Sequence, residues 1–472
     1  MNRRLIFLFA SAAAMGLAHA EDLQTVYDHA LIADPTLQQA AALHMATRET
    51  RTQAILDMLP LNAAATKNWN GVAGTSVSTP ALANLGLQVN LFSWNNWVAL
   101  KAASSTVAQG EANYLAAQQE LIARVAFQYF AVLNAEDVLA AQESALRSVS
   151  RQLEQAERRY EVGLIAITDV QIARANRDSS AAAVIAAKRT LASAEEQLRA
   201  ITGEKYQRLA KPGDGMPLLS PDPASEDAWV STALSQNSSL IASRLSADIS
   251  RDSYLTAIGG HLPSISASAS RSWALGNNDL TPAQRSLAGI NTDDIVWSVG
   301  VSVPLFSAGA TQSRVRQSRY LWNAAKAGYE RTLRQTEQQA RDAYQGVISQ
   351  IAQVGALKQA VQSNQISLQA TEAGYEVGTK TAIDVLTARQ LLVQAQTNYA
   401  QAKYSYLNNI VALRQAAGNL DRATITQING WLVEQPPAEN STPPADAAPA
   451  PAPTAAPLPT TAPATPANPA TP

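Results

Sequence analysis

The sequence predicts a mostly α-helical fold that also contains the strands of a membrane β-barrel. Three observations lead to this fold class. The chain of 472 residues contains an internal duplication, two very long stretches without proline, and four short segments in which apolar and polar residues alternate. Together they predict two copies of a unit that runs helix, strand, strand, very long helix and helix.

The duplication is clearest at a turn motif that occurs twice. The segment 159–163, with the sequence RYEVG, recurs as GYEVG at 374–378, and the spacing between these two segments is called the long offset. Each copy is followed by an Asp-Val pair, at 169–170 and at 384–385. Two copies are too few for a solenoid, so the repeat predicts internal pseudo-symmetry within an oligomer.

Segments before the long helices repeat with a smaller spacing, called the short offset, which relates Pro60 to Pro263. The tail is rich in Pro, Ala and Thr, cannot bury a core, and is therefore predicted to be disordered. The expected organisation is a signal peptide at 1–20, a first repeat at 21–204, a loop at 205–225, a second repeat at 226–419, a C-terminal extension at 420–435 and the tail at 436–472.

Helices are predicted from the stretches without proline and from the breaks between them. One helix is expected from Asp22 to Asp57, where Pro60 ends it. Long helices are expected at 93–162 and 164–203, and again at 310–377 and 379–417. At about 1.5 Å per residue the first helix of each pair would be on the order of 100 Å long, so it must pack along its length. An apolar seam of coiled-coil type fits this expectation: Val347, Ile351, Val354, Leu357 and Val361.

Strands are expected near 61–69, 85–92, 264–273 and 295–306, from their alternating pattern. An ordinary antiparallel sheet over a soluble core would give the same alternation. The start of the chain favours export, because two arginines, a short apolar run and Ala-His-Ala read as a cleaved signal peptide rather than a membrane anchor. Four strands cannot close a barrel in lipid, whereas three chains would close one of twelve strands, which predicts a homotrimer.

Composition argues against several other classes of protein. The formal net charge of −2 leaves no basic field for nucleic acid, and the absence of cysteine excludes disulfides, thiolate sites and a lipidated cysteine. The four histidines are scattered without metal-site spacing, so no metal or cofactor is expected. No acid, base or nucleophile forms a recognised catalytic arrangement, so the chain is not expected to be an enzyme.

The turn motifs, together with the duplicated unit, resemble the TolC family of outer-membrane channel-tunnels. The resemblance is closest at 158–171 and 196–203 and covers roughly 21–419. It implies a homotrimer in the outer membrane, with one twelve-stranded barrel continued by an α-helical tunnel through the periplasm. It also implies two partners at the inner end, a periplasmic adaptor and an inner-membrane pump driven by ATP or protons.

The same resemblance implies roles for four residues near the turns. Asp169, Tyr375 and Lys380 match a tether that closes the periplasmic end, and Asp384 matches a ring of acidic groups at the constriction. The family has arginine where this chain has Lys380, which keeps the charge but loses the planar fork that holds two acceptors. A second acidic position of the family is Thr387 here. The alternative for Asp169 and Asp384 is a purely local role as helix N-caps.

The function expected from this resemblance is an outer-membrane exit channel for type I protein secretion. A multidrug or small-molecule efflux outlet is the alternative within the same class, because a passive tunnel leaves selection to its partners. A secreted coiled-coil or adhesin stalk is the alternative from another class. It would account for the long helices but not for four alternating strands at matched places in two copies.

Overall fold

The computed structural model describes residues 20–58, 60–66, 69–72, 75–78, 81–213, 215–275 and 295–433. The expectations of a signal peptide at 1–20 and of a disordered tail at 436–472 therefore lie outside the described residues, apart from Ala20.

Long helices make up most of the described chain, as the fold class predicts. None of the described helices is both long and apolar enough to cross a membrane. The helices are α1 (Leu23–Ala33), α2 (Pro35–Leu56), α3 (Trp94–Glu161), α4 (Ile167–Thr202), α5 (Glu226–Gln236), α6 (Ser238–Gly259), α7 (Ala310–Glu376), α8 (Ala382–Ala417) and α9 (Arg422–Asn429).

The four expected strand regions contribute to one antiparallel sheet with the order β1-β4-β6-β7. β7 is shorter than expected and stops before Pro304, which has no N–H for a ladder. The first strand, expected near 61–69, ends at Thr66, and Trp69 instead begins β2, which pairs with β3 in the first loop; this short hairpin was not predicted. The strands are β1 (Leu61–Thr66), β2 (Trp69–Val72), β3 (Thr75–Ser78), β4 (Ala81–Phe92), β5 (Lys211–Pro212), β6 (Ser264–Leu275), β7 (Val296–Ser302) and β8 (Leu432–Val433).

The expectation of one helix from Asp22 to Asp57 is wrong, because the chain breaks between α1 and α2. Asp34 has extended backbone, as residues before proline prefer, and Pro35 occupies the first position of α2. The Asp34 carboxylate accepts a hydrogen bond from the Leu37 N–H at 3.0 Å and so caps the new helix. The second repeat breaks at the equivalent position, where Asn237 caps α6 through the Leu240 N–H at 3.0 Å.

Each strand of the sheet is continuous in sequence with a helix of a wall below it. The packed pairs α2–α3, α3–α6 and α6–α7 repeat the strand order, while α4 packs on α3 and α8 packs on α7. The sheet therefore ends in β1 and β7, and the wall ends in α2 and α7. Both layers leave the same two edges without a neighbour in the described part of one chain.

The main core lies halfway along the long helices. Tyr129 and Phe130 of α3 pack with Tyr406 and Leu407 of α8, and all four are buried. α1 and α9 add buried apolar residues to the same cluster, so they form an extra layer on the wall. The predicted seam of α7 takes part: Val347 and Val354 are buried, and Ile351 and Leu357 pack against the cluster.

A polar cluster is enclosed beside this core. The Asp137 carboxylate accepts hydrogen bonds from the Tyr404 hydroxyl at 2.7 Å and from the Lys211 ammonium at 3.0 Å, with Lys403 at 3.5 Å. Burial opposes ionisation of Asp137, but the two lysines and the hydroxyl outweigh it and lower its pKa. Burial, countered in part by Lys211, instead raises the pKa of the neighbouring Glu136.

Candidate functional site at the helix tips

The two helical hairpins end in turns of the same construction. Gly163 and Gly378 both have left-handed backbone, with φ of 75° and 81°. Behind each glycine the next N–H returns to the helix: Leu164 donates to the Arg159 carbonyl at 2.9 Å and Thr379 to the Gly374 carbonyl at 2.8 Å. A side chain other than glycine would cost about 1–2 kcal/mol in this conformation, so the repeated glycines specify the turns.

Asp384 lies in the first turn of α8 as part of a capping box. Its carboxylate accepts from the Thr381 N–H at 2.8 Å and from the Thr381 hydroxyl at 2.9 Å, while the Thr381 hydroxyl accepts from the Asp384 N–H at 3.2 Å. These hydrogen bonds, chiefly the one from the backbone N–H, lower the pKa of Asp384. The N-cap itself is Thr381, so Asp384 helps to cap the helix from the third position and remains exposed.

Asp169 occupies the equivalent position of α4 in a different environment. The N-cap there is Ala166, which has no side chain able to bond the helix. Among the described residues the Asp169 carboxylate has no hydrogen-bond partner, and the side chain is half-buried. The N-cap alternative is therefore wrong for Asp169, whose carboxylate is left available for a partner.

Tyr375 and Lys380 lie on either side of the Gly378 turn. The half-buried ring of Tyr375 has the Arg159 guanidinium 5.3 Å from its centroid, which links α7 to α3. The exposed Lys380 ammonium has no carboxylate within 4.0 Å in the described chain. One chain therefore does not join Asp169, Tyr375 and Lys380, and the tether stays a prediction.

Sequence reasoning missed two arginines that fasten the hairpins. Arg174 of α4 pairs with Glu157 of α3 at 3.0 Å, and Arg389 of α8 forms a short ion pair with Glu372 of α7. The two pairs occupy equivalent positions in the two repeats, separated by the long offset. This repetition of an arginine and a glutamate could have identified both ion pairs from the sequence. Arg389 is only 12% exposed and also donates to the Gln152 amide oxygen at 3.3 Å, so it joins the second hairpin to the first.

Comparison with known proteins identifies the class of molecule. A family model described as outer membrane efflux protein matches residues 26–204 and 229–419. The chain is 35% identical over 435 residues to the outer membrane protein TolC of Vibrio cholerae, covering 91% of this chain and 99% of that protein. The chain belongs to the outer membrane efflux protein family.

A further relative and a solved structure of similar fold add to this comparison. The alkaline protease secretion protein AprF of Pseudomonas aeruginosa is 26% identical to this chain, covering 89% of the chain and 88% of AprF. The crystal structure of the outer membrane protein VceC of Vibrio cholerae matches with a TM-score of 0.71 at 22% identity, covering 84% of this chain and 97% of VceC.

Family membership confirms the resemblance and the mostly helical fold class that the sequence predicted. It also gives the function at the level of class. This member of the outer membrane efflux protein family is an exit channel of the outer membrane that extends into the periplasm, and it is not an enzyme. The nature of the cargo is left open at this level.

Proposed function

We propose that three copies of this chain close into a ring that exports protein cargo by type I secretion. In this ring β7 and α7 of one chain lie beside β1 and α2 of the next. Four strands per chain then form a barrel of twelve, and the helices below form a tunnel. The observation that carries the proposal is that sheet and wall end on the same two edges.

The contact between the two repeats supports this assembly, because the α6 residues that it buries or half-buries have equivalents on α2 that are exposed. α3 of the first repeat meets α6 of the second repeat through four pairs: Trp94 with Leu255, Asn95 with Gly259, Lys101 with Asp252 and Gln109 with Ala242. The long offset carries the α3 positions to α7, and the short offset carries the α6 positions back to α2. All eight equivalent residues are exposed in the single chain: Gly309, Ala310, Arg316 and Ala324 at the start of α7, and Gln39, Glu49, Thr52 and Leu56 on α2.

Large apolar side chains at the strand edge support the same conclusion. Every residue of β7 is exposed in one chain, including Trp297 at 77% and Val299 at 72%. Leu305 and Phe306, just below the strand, are about 90% exposed. A sheet that is closed in lipid would cover its unpaired edge and give these side chains an apolar environment.

The expected partners are a periplasmic adaptor and an inner-membrane pump, which would meet the channel at the helix tips. Protein cargo is supported by the match to a protease secretion protein over most of both chains. Efflux of small molecules is the second candidate, and the description of the matching family favours it. A passive tunnel could serve either cargo, so the partners decide between them.

Deleting the gene tests the export role and separates the two cargoes. The proteins in the culture supernatant are compared with growth inhibition by dyes, detergents and antibiotics, and the intact gene on a plasmid serves as control. Loss of one or a few secreted proteins with unchanged drug tolerance is the expected result. Hypersensitivity with an intact set of secreted proteins would favour efflux, and no change in either would overturn the proposal.

The acidic ring makes a prediction about ion selectivity. We expect Asp384→Asn to reduce the preference of the channel for cations and to relieve block by multivalent cations, because three carboxylates would be lost near one axis. Asparagine can still accept from Thr381, so the capping box is largely kept. Single-channel recordings in planar bilayers measure both effects. Asp178→Asn, an exposed acid paired with Arg177, is the control. Equal selectivity in the two variants would contradict the ring.

The same recordings test the tether. We expect Asp169→Asn and Tyr375→Phe each to raise the conductance of the closed channel, because each substitution removes one partner of the predicted contact. Neither residue makes another side-chain hydrogen bond in the described chain, so the fold should not change. Lys380→Arg should lower the conductance, since the guanidinium fork can hold two acceptors. Conductances equal to wild type in all three variants would exclude the tether.

A further inference from the structure

Among the described residues, one ion pair joins α3 of the first repeat to α6 of the second repeat. The Lys101 ammonium of α3 lies 2.9 Å from the Asp252 Oδ1 of α6. The Asp252 side chain is 1% exposed, and its second oxygen, Oδ2, is buried without a hydrogen-bond partner among the described residues. A buried carboxylate is costly unless a cation lies beside it, so the α3–α6 contact can bury Asp252 because Lys101 pairs with it.

Each partner of this ion pair has an equivalent in the other repeat, and the two equivalents lie on the two open edges of the chain. α2 and α6 are equal in length and begin at equivalent caps, Asp34 and Asn237, so the short offset places Glu49 at the position of Asp252. α3 and α7 end at equivalent turns, and the long offset places Arg316 at the position of Lys101. An acid thus occurs again on the α2 edge and a base on the α7 edge, and one chain cannot join these two edges.

We propose that Arg316 of one chain forms an ion pair with Glu49 of the next chain in the ring. This inference rests on the proposed assembly and names the charged contact that closes it. Docking of α7 on α2 covers Glu49 as α3 covers Asp252, and an unpaired carboxylate there would oppose assembly. Arginine suits the site because its fork can reach both carboxylate oxygens, including the equivalent of the one that Lys101 leaves unpaired.

The charge around Arg316 supports an acidic partner from outside the chain. Arg314, Arg316, Arg319 and Lys326 are exposed on the first turns of α7, and the first acidic residue of this helix is Glu330. None of the ion pairs among the described residues involves Arg314, Arg316 or Arg319. Basic residues that lack an acidic partner in their own chain are therefore suited to contact an edge of a second copy that exposes Glu49.

Charge reversal tests the pair. R316E and E49R are compared singly and together with wild type, by light scattering and by the temperature at which purified trimers in detergent dissociate. We expect each single variant to weaken trimer association about tenfold or more, and the double variant to recover most of that loss. The control is R319E, which makes the same charge change on the next turn of α7. Its equivalent, Ser104, donates only to the Leu100 carbonyl of its own helix, whereas Lys101, the equivalent of Arg316, reaches Asp252 on α6.

The outcomes separate the pair from the ring. Recovery in the double variant, with R319E close to wild type, supports the ion pair. Wild-type trimers with single variants that associate normally, or with a double variant that does not recover, would overturn the pair and leave the ring intact. A wild-type chain that does not form trimers would overturn the proposed assembly itself.

Discussion

Replacing Gly418 by alanine is expected to reduce stability by about 2–4 kcal/mol, because the added methyl group meets both a backbone penalty and a steric clash. Gly418 ends α8 with φ of 75°, which disfavours any side chain. A Cβ would also lie 2.5 Å from the Gln236 carbonyl oxygen and 2.7 Å from the Asn237 Cα. Both are backbone atoms at the α5–α6 break, so they cannot move aside as a flexible side chain could.

The repeat supplies a matched control for this prediction. Gly203 occupies the equivalent position at the end of α4 with φ of 76°, but its Cβ would meet only the Ala33 side chain at 3.5 Å. We expect Gly203→Ala to cost only the conformational penalty of about 1–2 kcal/mol. Thermal unfolding followed by circular dichroism in detergent compares the two variants. Equal losses would mean that the close approach at Gly418 adds nothing to the backbone penalty.

Replacing Asp137 by asparagine is expected to cost about 2 kcal/mol at neutral pH, because two lysines lose their shared counter-charge in a largely enclosed site. The asparagine oxygen can still accept from Tyr404, so the effect reports mainly on charge. Asp178→Asn removes an exposed carboxylate that is 59% exposed and pairs with Arg177, and it should cost less than about 0.5 kcal/mol. Urea unfolding of both variants measures the difference.

The stability difference between wild type and Asp137→Asn should depend on pH in a direction set by the lowered pKa of Asp137. The folded pKa of Asp137 is lowered, so its stabilisation is present above the unfolded pKa of about 3.9 and is lost as the pH falls through the folded value. The difference between wild type and Asp137→Asn should therefore stay constant from pH 7 to about pH 5 and shrink only below pH 4. A difference that already disappears between pH 7 and pH 5 would contradict a lowered pKa.

Local sequence signals predicted most of the architecture, and long-range contacts explain most of what they missed. The turn glycines and the alternating strands depend on neighbouring residues and could be recognised directly. The break at Asp34 was missed, although a proline preceded by aspartate is also a local signal for a new helix. At the tips, the long offset makes Ala166 the equivalent of Thr381. Alanine has no side-chain hydroxyl to bond Asp169, which explains why only Asp384 forms a capping box.

Contacts between residues far apart in sequence could not be predicted from periodicity. Asp137 of α3 meets Lys403 and Tyr404 of α8, and its pattern on α3 alone would suggest an ordinary solvated face. The clash at Gly418 likewise depends on where α5 ends, not on the sequence around the glycine. The predicted tether would need contacts that a single chain does not make, so a sequence alone could suggest its residues but not their pairing.

The docking of α3 on α6 within one chain has a consequence for how assembly responds to dilution. A contact between two parts of one polypeptide is held at the high effective concentration that their connecting segment imposes, whatever the number of molecules present. The proposed counterpart, between α7 and α2 of separate chains, would gain nothing from a connection and would weaken as the concentration of chains falls. At low expression we therefore expect single chains in which the α3–α6 contact is formed and the α2 and α7 edges are open. Higher expression should then shift these chains into trimers.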